Sequence, residues 1–302
     1  MKKNLKMSAA ILAAVMVMGS LTACGGSSSD PTTAAAAKDT TAAAADSGSS
    51  AAADSGSATG DVTADVQKII DAGVLKVGVK TDVPCFSLLN TATGEYEGLE
   101  DDLAYNIAGK IFGCTPDEAK EKKLVEFQGV TAKTRGPLVE NGELDMVIAT
   151  FTITEERKET YNFSTPYFTD AVGLLVLKDS GINSIEDLDG KVIGVAQGST
   201  SQKGFEAYVA EKGINVKPTF EEFDGYPALA AALSAKNIDV FSVDRAILAG
   251  YRDDTNKLLD DRYAEQEYGV CTKKENTGLA ELVDGVVTDL KDSGKLAEMI
   301  KD

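Results

Sequence analysis

Three polar residues, Thr150, Thr152 and Arg157, stand close together in a stretch that reads VIATFTITEER from position 147. The apolar residues before them predict a buried strand, and Thr154 followed by two glutamates predicts the start of a helix. Hydroxyls and a guanidinium at the end of a strand suit a small carboxylate, because a guanidinium donates two parallel, charge-assisted hydrogen bonds to it. The alternative is an Arg157 that pairs with a neighbouring glutamate on a solvated surface.

A second polar cluster follows a glycine later in the chain. Gly198, Ser199 and Thr200 precede a predicted helix at 201–212. Backbone amides at a helix N-terminus point outward and bind anions, so Ser199 and Thr200 are candidates for such a site. Simple capping of the helix is the alternative, and it does not exclude the binding role.

The elements that must position these residues follow an alternating pattern. Short apolar runs predict strands at 74–79, 146–149, 191–195 and 240–243, and apolar stripes predict helices at 62–72, 99–112, 201–212 and 229–236. The segments GELDMVIAT and KNIDVFSVD occupy equivalent places in two halves, with Asp145 matched by Asp239 at a helix-to-strand junction. Alternation of this kind indicates an α/β fold with mainly parallel sheets, whose ligands bind at the carboxyl ends of the strands.

Composition excludes several function classes. The chain has no histidine, which excludes Ser-His-Asp and Cys-His nucleophilic sites and histidine-ligated metals. Phosphate-binding glycine loops and nucleophile elbows are absent from the sequence, and Cys85, Cys114 and Cys271 are too widely spaced for a metal motif. From position 61 onward there are 26 basic and 44 acidic residues, a net charge of −18, which argues against nucleic acid as a partner. We therefore expect no metal and no cofactor.

The N-terminus predicts export. Basic residues precede a twelve-residue apolar run at 8–19, which is too short to span a membrane and fits a secretory signal. The run leads into Leu-Thr-Ala-Cys24, which resembles the lipobox of a bacterial lipoprotein. The resemblance implies a signal peptide at 1–23 and acylation of Cys24, with the mature chain held on the outer face of the cell membrane. Residues 25–60 are rich in Ala, Ser, Gly and Thr, and this composition indicates a flexible linker.

Several motifs together resemble a known family, the polar amino-acid-binding proteins of ABC importers (family 3 extracellular solute-binding proteins). They are DVPCF at 82–86, TRGPL at 134–138, the run at 149–166, GST at 198–200 and VDR at 243–245. Within that family, residues 131–177 look most like the aspartate/glutamate receptors. Phenylalanine is commoner in the family where Leu99 stands.

The resemblance implies a two-lobed, periplasmic-binding-protein-like (type II) fold with two hinge crossings and a ligand cleft between the lobes. Lobe one would span 61–170 plus 269–302 and lobe two 171–268, with crossings near 169–172 and 267–270. The ligand-binding residues that it implies are Asp82, Phe86, Arg135, Ala149, Thr150, Thr152, Arg157, Ser199, Thr200, Tyr226 and Asp244.

Each of these residues has an expected role. Arg157 holds the ligand α-carboxylate, helped by Thr152 and the backbone of 149–150, and Asp244 balances the ammonium group. Arg135 is the candidate for a side-chain carboxylate, with Tyr226 closing the pocket. Phe86 forms an apolar wall or belongs to the ordinary core.

The function expected from this resemblance is a receptor, not an enzyme, that binds aspartate or glutamate and delivers it to ABC permease subunits. The alternatives are another polar amino acid, such as glutamine or cystine, or a cyclohexadienyl-dehydratase-like enzyme on the same fold. The carboxylate pairs available to an enzyme, such as Glu221-Glu222 and Asp260-Asp261, are adjacent in sequence and diverge on a strand or helix. We expect a monomer, because the protein must dock a transporter.

Overall fold

The computed structural model describes residues 62–301. The signal peptide predicted at 1–23, and the acylated Cys24 with its linker at 24–60, lie outside the described residues. Within 62–301, no helix has the length and apolar character needed to cross a membrane.

Strands and helices alternate along the described chain as the sequence predicts. The first part contains α1 (Ala64–Ala72), β1 (Leu75–Val79), β2 (Asp82–Val83), β3 (Ser87–Asn90), β4 (Glu95–Glu97), α2 (Leu99–Phe112), α3 (Pro116–Glu121), β5 (Val125–Gly129), α4 (Arg135–Glu140), β6 (Met146–Val147), α5 (Glu155–Thr160) and β7 (Tyr161–Phe163). The second part contains β8 (Phe168–Leu177), a 3₁₀ turn (Ile185–Leu188), β9 (Val192–Ala196), α6 (Ser201–Lys212), β10 (Thr219–Phe223), α7 (Tyr226–Ser234), β11 (Val240–Asp244), α8 (Arg245–Ala249), β12 (Asn256–Leu258), β13 (Tyr263–Tyr268), β14 (Cys271–Lys273), α9 (Thr277–Asp292) and α10 (Lys295–Met299).

The first large sheet has the strand order β5-β1-β6-β14-β7, and we call the part of the molecule built on it lobe one. β1 pairs in parallel with both β5 and β6, while β14 returns antiparallel between β6 and β7. Leu75, Val77 and Val79 of β1 are fully buried, as expected for a central strand covered on both faces. Helix α2 lies against this sheet and buries Leu103 and Ile107 completely.

The second large sheet has the strand order β10-β9-β11-β8-β12, with β13 also paired to β8, and we call this part lobe two. β9 pairs in parallel with β10 and β11, and β8 runs antiparallel to β11. Leu174 and Val176 of β8 are fully buried, and Phe205 of α6 packs beneath the sheet. The α/β fold class is therefore confirmed, with one large sheet in each lobe and a small antiparallel sheet of order β2-β3-β4.

The repeat seen in the sequence is a real structural repeat. Asp145 Oδ2 accepts a hydrogen bond from the Lys76 amide at 2.8 Å, and Asp239 Oδ2 accepts one from the Val192 amide at 2.9 Å. In each lobe this carboxylate ties the turn before an inner strand to the start of its parallel neighbour. The structural role predicted for Asp239 is confirmed.

Two extended segments connect the lobes. β8 and β13 pair antiparallel, with Tyr268 opposite Phe168 and Glu267 opposite Thr169. Tyr268 also forms an isolated bridge to Thr152 of lobe one. These segments lie where the hinge crossings are expected; the lobe bounds at 61–170 plus 269–302 and 171–268 stay a prediction.

Candidate functional site

The turn after β6 carries polar residues that are predicted to contact a ligand. Ala149, Thr150 and Thr152 are nearly fully buried. Thr150 has a φ of 45°, in the left-handed region that a β-branched residue rarely adopts. Backbone in this conformation must be held by its surroundings, and such positions cluster at binding sites.

Arg157 lies in the first turn of α5, where its amide donates to the Thr154 hydroxyl at 3.1 Å. Its guanidinium donates to the carbonyl of Thr152 at 2.7 Å and to the carbonyl of Gly198 in lobe two at 3.0 Å. The neighbouring glutamates pair elsewhere, since Glu155 meets Lys158 and Glu156 meets Lys203. Burial, together with the charge of Arg135, lowers the pKa of Arg157 to about 9. The guanidinium therefore bridges the two lobes with neutral acceptors only.

Arg135 is the first residue of α4 and is 3% exposed. Its Nη1 donates to the carbonyls of Ala149 at 2.5 Å and Thr150 at 3.0 Å, while its Nε has no hydrogen-bond partner. Both Arg135 and Arg157 lie over the ring of Phe151, at 4.1 and 4.5 Å from its centroid. Phe151 therefore supports both cations at once.

Lys80 is a candidate site residue that the sequence analysis did not single out. It follows β1 directly and is 2% exposed, and its ammonium lies 3.2 Å from Asp82 Oδ1 and 4.5 Å from the centroid of the Tyr226 ring in lobe two. Burial lowers its pKa, and the charge of Asp82 opposes that shift. Its place at the carboxyl end of a strand was the available signal.

Phe86 belongs to an aromatic cluster at the hinge. Its ring lies edge-on to Phe168 at 5.0 Å and to Tyr268 at 5.9 Å between centroids. Since Phe168 and Tyr268 stand on the two connecting strands, Phe86 packs the wall of lobe one against the hinge.

Asp244 ends β11 in lobe two and is 6% exposed. The Tyr268 hydroxyl donates to its Oδ2 at 2.6 Å. Burial raises the pKa of Asp244 to about 7, against the lowering effects of Tyr268, Arg135 and Arg157. This carboxyl group thus lies within the electrostatic reach of both arginines of lobe one.

Ser199 and Thr200 differ from their predicted geometry. The Ser199 amide donates to the Ala196 carbonyl at 3.1 Å, so the prediction that both amides point outward was wrong for Ser199. The reason is a tight turn at Gly198, which has a φ of 74°. The Thr200 side chain does not cap α6; its hydroxyl donates to Gln266 Oε1 at 2.7 Å.

Gln266 on β13 is a second residue that sequence reasoning missed. Besides Thr200, its Oε1 accepts from the Thr152 hydroxyl at 2.6 Å, while its Nε2 donates to the Ala264 carbonyl. One buried amide on a connecting strand therefore holds a hydroxyl from each lobe. An isolated polar residue in a strand gave no sequence signal for this role.

The predicted site residues fall into two neighbouring sets. Thr152, Arg157, Ser199 and Thr200 line an interlobe cavity of about 880 Å³. The others do not line that cavity and are mostly buried nearby: Asp82, Phe86, Arg135, Ala149, Thr150, Tyr226 and Asp244. Together the two sets present cations from lobe one and a carboxyl group from lobe two, an arrangement suited to a zwitterion.

Comparison with known proteins decides the family. Residues 75–302 match the family described as "Bacterial extracellular solute-binding proteins, family 3". The chain belongs to this family. The family predicted from sequence is thereby confirmed.

Curated relatives and solved structures agree with this family 3 assignment. The chain is 41% identical to a glutamine-binding protein of Geobacillus stearothermophilus, over 70% of this chain and 78% of the relative. It is 35% identical to the ABC transporter glutamine-binding protein of Bacillus subtilis, over 77% and 82%. The solute receptor for L-cysteine of Neisseria gonorrhoeae superposes with a TM-score of 0.68 at 25% identity, over 78% of this chain and 92% of that one.

Within residues 62–301, no group of histidine, cysteine, aspartate or glutamate side chains is arranged to hold a metal ion. Cys85, Cys114 and Cys271 are all free thiols.

Proposed function

We propose that this protein is an extracytoplasmic receptor that binds an L-amino acid between its lobes and delivers it to the permease subunits of an ABC importer. The observation that carries the proposal is Arg157 of lobe one, which lines the interlobe cavity and donates to the Gly198 carbonyl of lobe two at 3.0 Å. The proposal includes an anchor at Cys24, outside the described residues, and a monomeric, non-enzymatic protein. The relatives' names as transporter binding proteins support it.

Arg157 is the proposed partner of the ligand α-carboxylate. Its guanidinium donates to the uncharged carbonyls of Thr152 and Gly198. A carboxylate is a stronger acceptor than a carbonyl, so a ligand gains by replacing one of these contacts. Asp244 then balances the α-ammonium group from the opposite lobe.

The ligand side chain is proposed to meet Lys80, Arg135 and Tyr226. Lys80 lies over the Tyr226 ring, and the buried Nε of Arg135 has no hydrogen-bond partner. Two buried cations beside a tyrosine favour an acidic side chain, so aspartate or glutamate is the first candidate ligand.

Glutamine is the second candidate. The two relatives with 41% and 35% identity are named for glutamine. In addition, Asp82 already neutralises Lys80 at 3.2 Å, and Nη1 of Arg135 is occupied by two carbonyls. A carboxamide would need fewer free cations than a carboxylate.

Calorimetric titration of the purified, ligand-stripped protein with the twenty amino acids tests the proposal. We expect tight binding of glutamate or aspartate, and weaker or equal binding of glutamine. Binding of glutamine alone would replace the first candidate by the second. Failure to bind any amino acid, or turnover of a bound one, would reject the receptor function.

Arg157→Ala should lower the affinity for every amino acid by about 100-fold or more, because it leaves the ligand carboxylate unpaired.

Lys80→Met tests the side-chain subsite. If Lys80 meets a ligand carboxylate, its loss weakens glutamate and aspartate by about 30-fold or more and glutamine much less. Lys76→Met is the matched control, because Lys76 lies exposed on β1, the strand that Lys80 directly follows. Equal losses for acidic and neutral ligands would show that Lys80 does not select the side chain.

A further inference from the structure

Glu100 is a buried carboxyl group outside the set of residues proposed to contact the ligand. It stands in the first turn of α2 and is fully buried. Its Oε1 accepts hydrogen bonds from the Thr150 amide at 2.5 Å and from the Tyr167 hydroxyl at 2.6 Å. In the sequence it is one of three consecutive acids at a helix start, which by itself indicates only a solvated first turn.

Glu100 and Arg135 are hydrogen-bonded to the same peptide group, Glu100 at its amide and Arg135 at its carbonyl. In the peptide between Ala149 and Thr150, the carbonyl accepts from Arg135 Nη1 and the amide donates to Glu100. Arg135 Nη1 also donates a hydrogen bond to the carbonyl of Thr150. Thr150 is therefore fixed on both sides in its left-handed conformation.

The carboxyl group also reaches the hinge. Tyr167, the second donor to Glu100, precedes β8, and its amide donates to the Tyr268 carbonyl on the other connecting strand. The Tyr268 hydroxyl in turn donates to Asp244. Glu100 is thus hydrogen-bonded to the site turn and to the start of the hinge.

We propose that Glu100 is a positioning residue, which with Arg135 holds Thr150 in the left-handed conformation that shapes the α-carboxylate end of the ligand site. The effect on affinity rests on the proposed function; the effect on backbone geometry does not. Because Glu100 acts through the backbone, its loss weakens every amino acid to the same degree. A residue that met the ligand side chain would instead discriminate among ligands.

A double-mutant cycle in the full chain tests this role. Glu100→Ala removes a hydrogen bond that holds Thr150 in its left-handed conformation, and is expected to weaken all ligands by about 30-fold. Glycine adopts positive φ without a side-chain penalty. In the Thr150→Gly background, Glu100→Ala should therefore lower ligand affinity by less than about fivefold, because the turn no longer needs the hydrogen bond to Glu100 to keep its conformation. Glu97→Gln, at an exposed position on β4, is the control and should leave affinity unchanged.

Hydrogen exchange at the Thr150 amide gives a readout that needs no ligand. We expect strong protection in the wild type and exchange at least about tenfold faster in Glu100→Ala. If Glu100→Ala does not fold, Glu100→Gln takes its place; its amide keeps the acceptor oxygen, so it should keep protection within about threefold. Unchanged exchange in Glu100→Ala, loss of protection in Glu100→Gln, or no relief from Thr150→Gly would overturn the proposal. Absence of amino-acid binding with the exchange effect intact would reject the receptor function alone.

Discussion

At the residue scale, the buried carboxyl group of Asp244 is expected to make ligand affinity depend on pH. Its pKa is raised to about 7 by burial. Below that pH the group is protonated and neutral, so it cannot balance an α-ammonium group. Affinity should therefore rise with pH between 5 and 7, by up to about tenfold per unit, and level off above 7. Calorimetry at pH 5, 6, 7 and 8 measures this.

Asp244→Asn separates this effect from other titrating groups. The variant should bind the ligand weakly, with an affinity that changes less with pH. Glu100, whose pKa burial raises to about 7, still titrates in this variant. A wild-type affinity that does not change between pH 5 and 7 would show that Asp244 is ionised throughout and that its burial does not govern binding.

The sequence predicted some residues of the site and not others, for a physical reason. Arg157 and Thr152 stand beside a strand end and a helix cap, which are local signals. Glu100 and Gln266 become functional candidates only through burial and long-range hydrogen bonds. Glu100 meets Thr150 fifty positions away, and Gln266 meets Thr152 across 114. No local pattern contains such contacts.

At the scale of elements, the sequence was most informative where periodicity and punctuation agree. The predicted helix 201–212 matches α6, and Gly73 and Gly113, directly after the predicted helices 62–72 and 99–112, end α1 and α2 in left-handed conformations. α7 begins three residues before the predicted 229, because Tyr226 and Pro227 form its first turn. The burial of Tyr226 there depends on lobe one and is not a property of the helix alone.

Asp101 on α2 carries the prediction that belongs to this scale. The Ser87 hydroxyl lies 2.7 Å from the Lys80 carbonyl and 2.8 Å from Asp101 Oδ1. One hydroxyl proton is shared between these two acceptors, and the buried Oδ2 of Asp101 has no hydrogen-bond partner. Burial accordingly raises the pKa of Asp101 to about 8. The folded protein thus binds a proton that the unfolded chain releases near pH 4.

Stability should therefore fall as pH rises from about 4 to 8 and then level off, by up to about 1.4 kcal/mol per unit for this group. Asp101→Asn keeps an acceptor oxygen for the Ser87 hydroxyl and has no carboxyl proton to lose. Its free energy of unfolding should decline less with pH, and should exceed that of the wild type at pH 8. Denaturant titrations at pH 5 to 9 measure both, with Asp117→Asn at an exposed position as control. Parallel profiles for the wild type and Asp101→Asn would mean that Asp101 is ionised in the folded protein.

At the scale of the whole molecule, the proposed function requires the lobes to approach each other, and two glycines of lobe two lie at contacts with lobe one. A Cβ on Gly198 would lie 3.0 Å from the Ala132 carbonyl oxygen and 3.1 Å from Lys133 Cα. A Cβ on Gly250 would lie 3.0 Å from the Pro84 ring. Backbone atoms yield less readily than side-chain ends, so Gly198 is the stricter contact. Around it, Lys133 donates to Gln197 at 3.0 Å and Arg157 to Gly198 itself.

Gly198→Ala should hold the lobes apart. It replaces no side chain that meets the ligand, yet it is expected to weaken all amino acids by about 10- to 100-fold, since closure must push lobe-one backbone aside. Small-angle scattering with and without ligand checks the cause: the wild type should contract on binding, and the variant should contract less. Gly213→Ala is the matched control, because Gly213 has a φ of 66° against 74° for Gly198 but nothing within 4 Å of its Cβ position. Both variants therefore carry a similar backbone penalty, and only one meets the opposite lobe. Equal losses of affinity in the two would assign the effect to backbone strain and reject interlobe contact at Gly198 as the limit on closure.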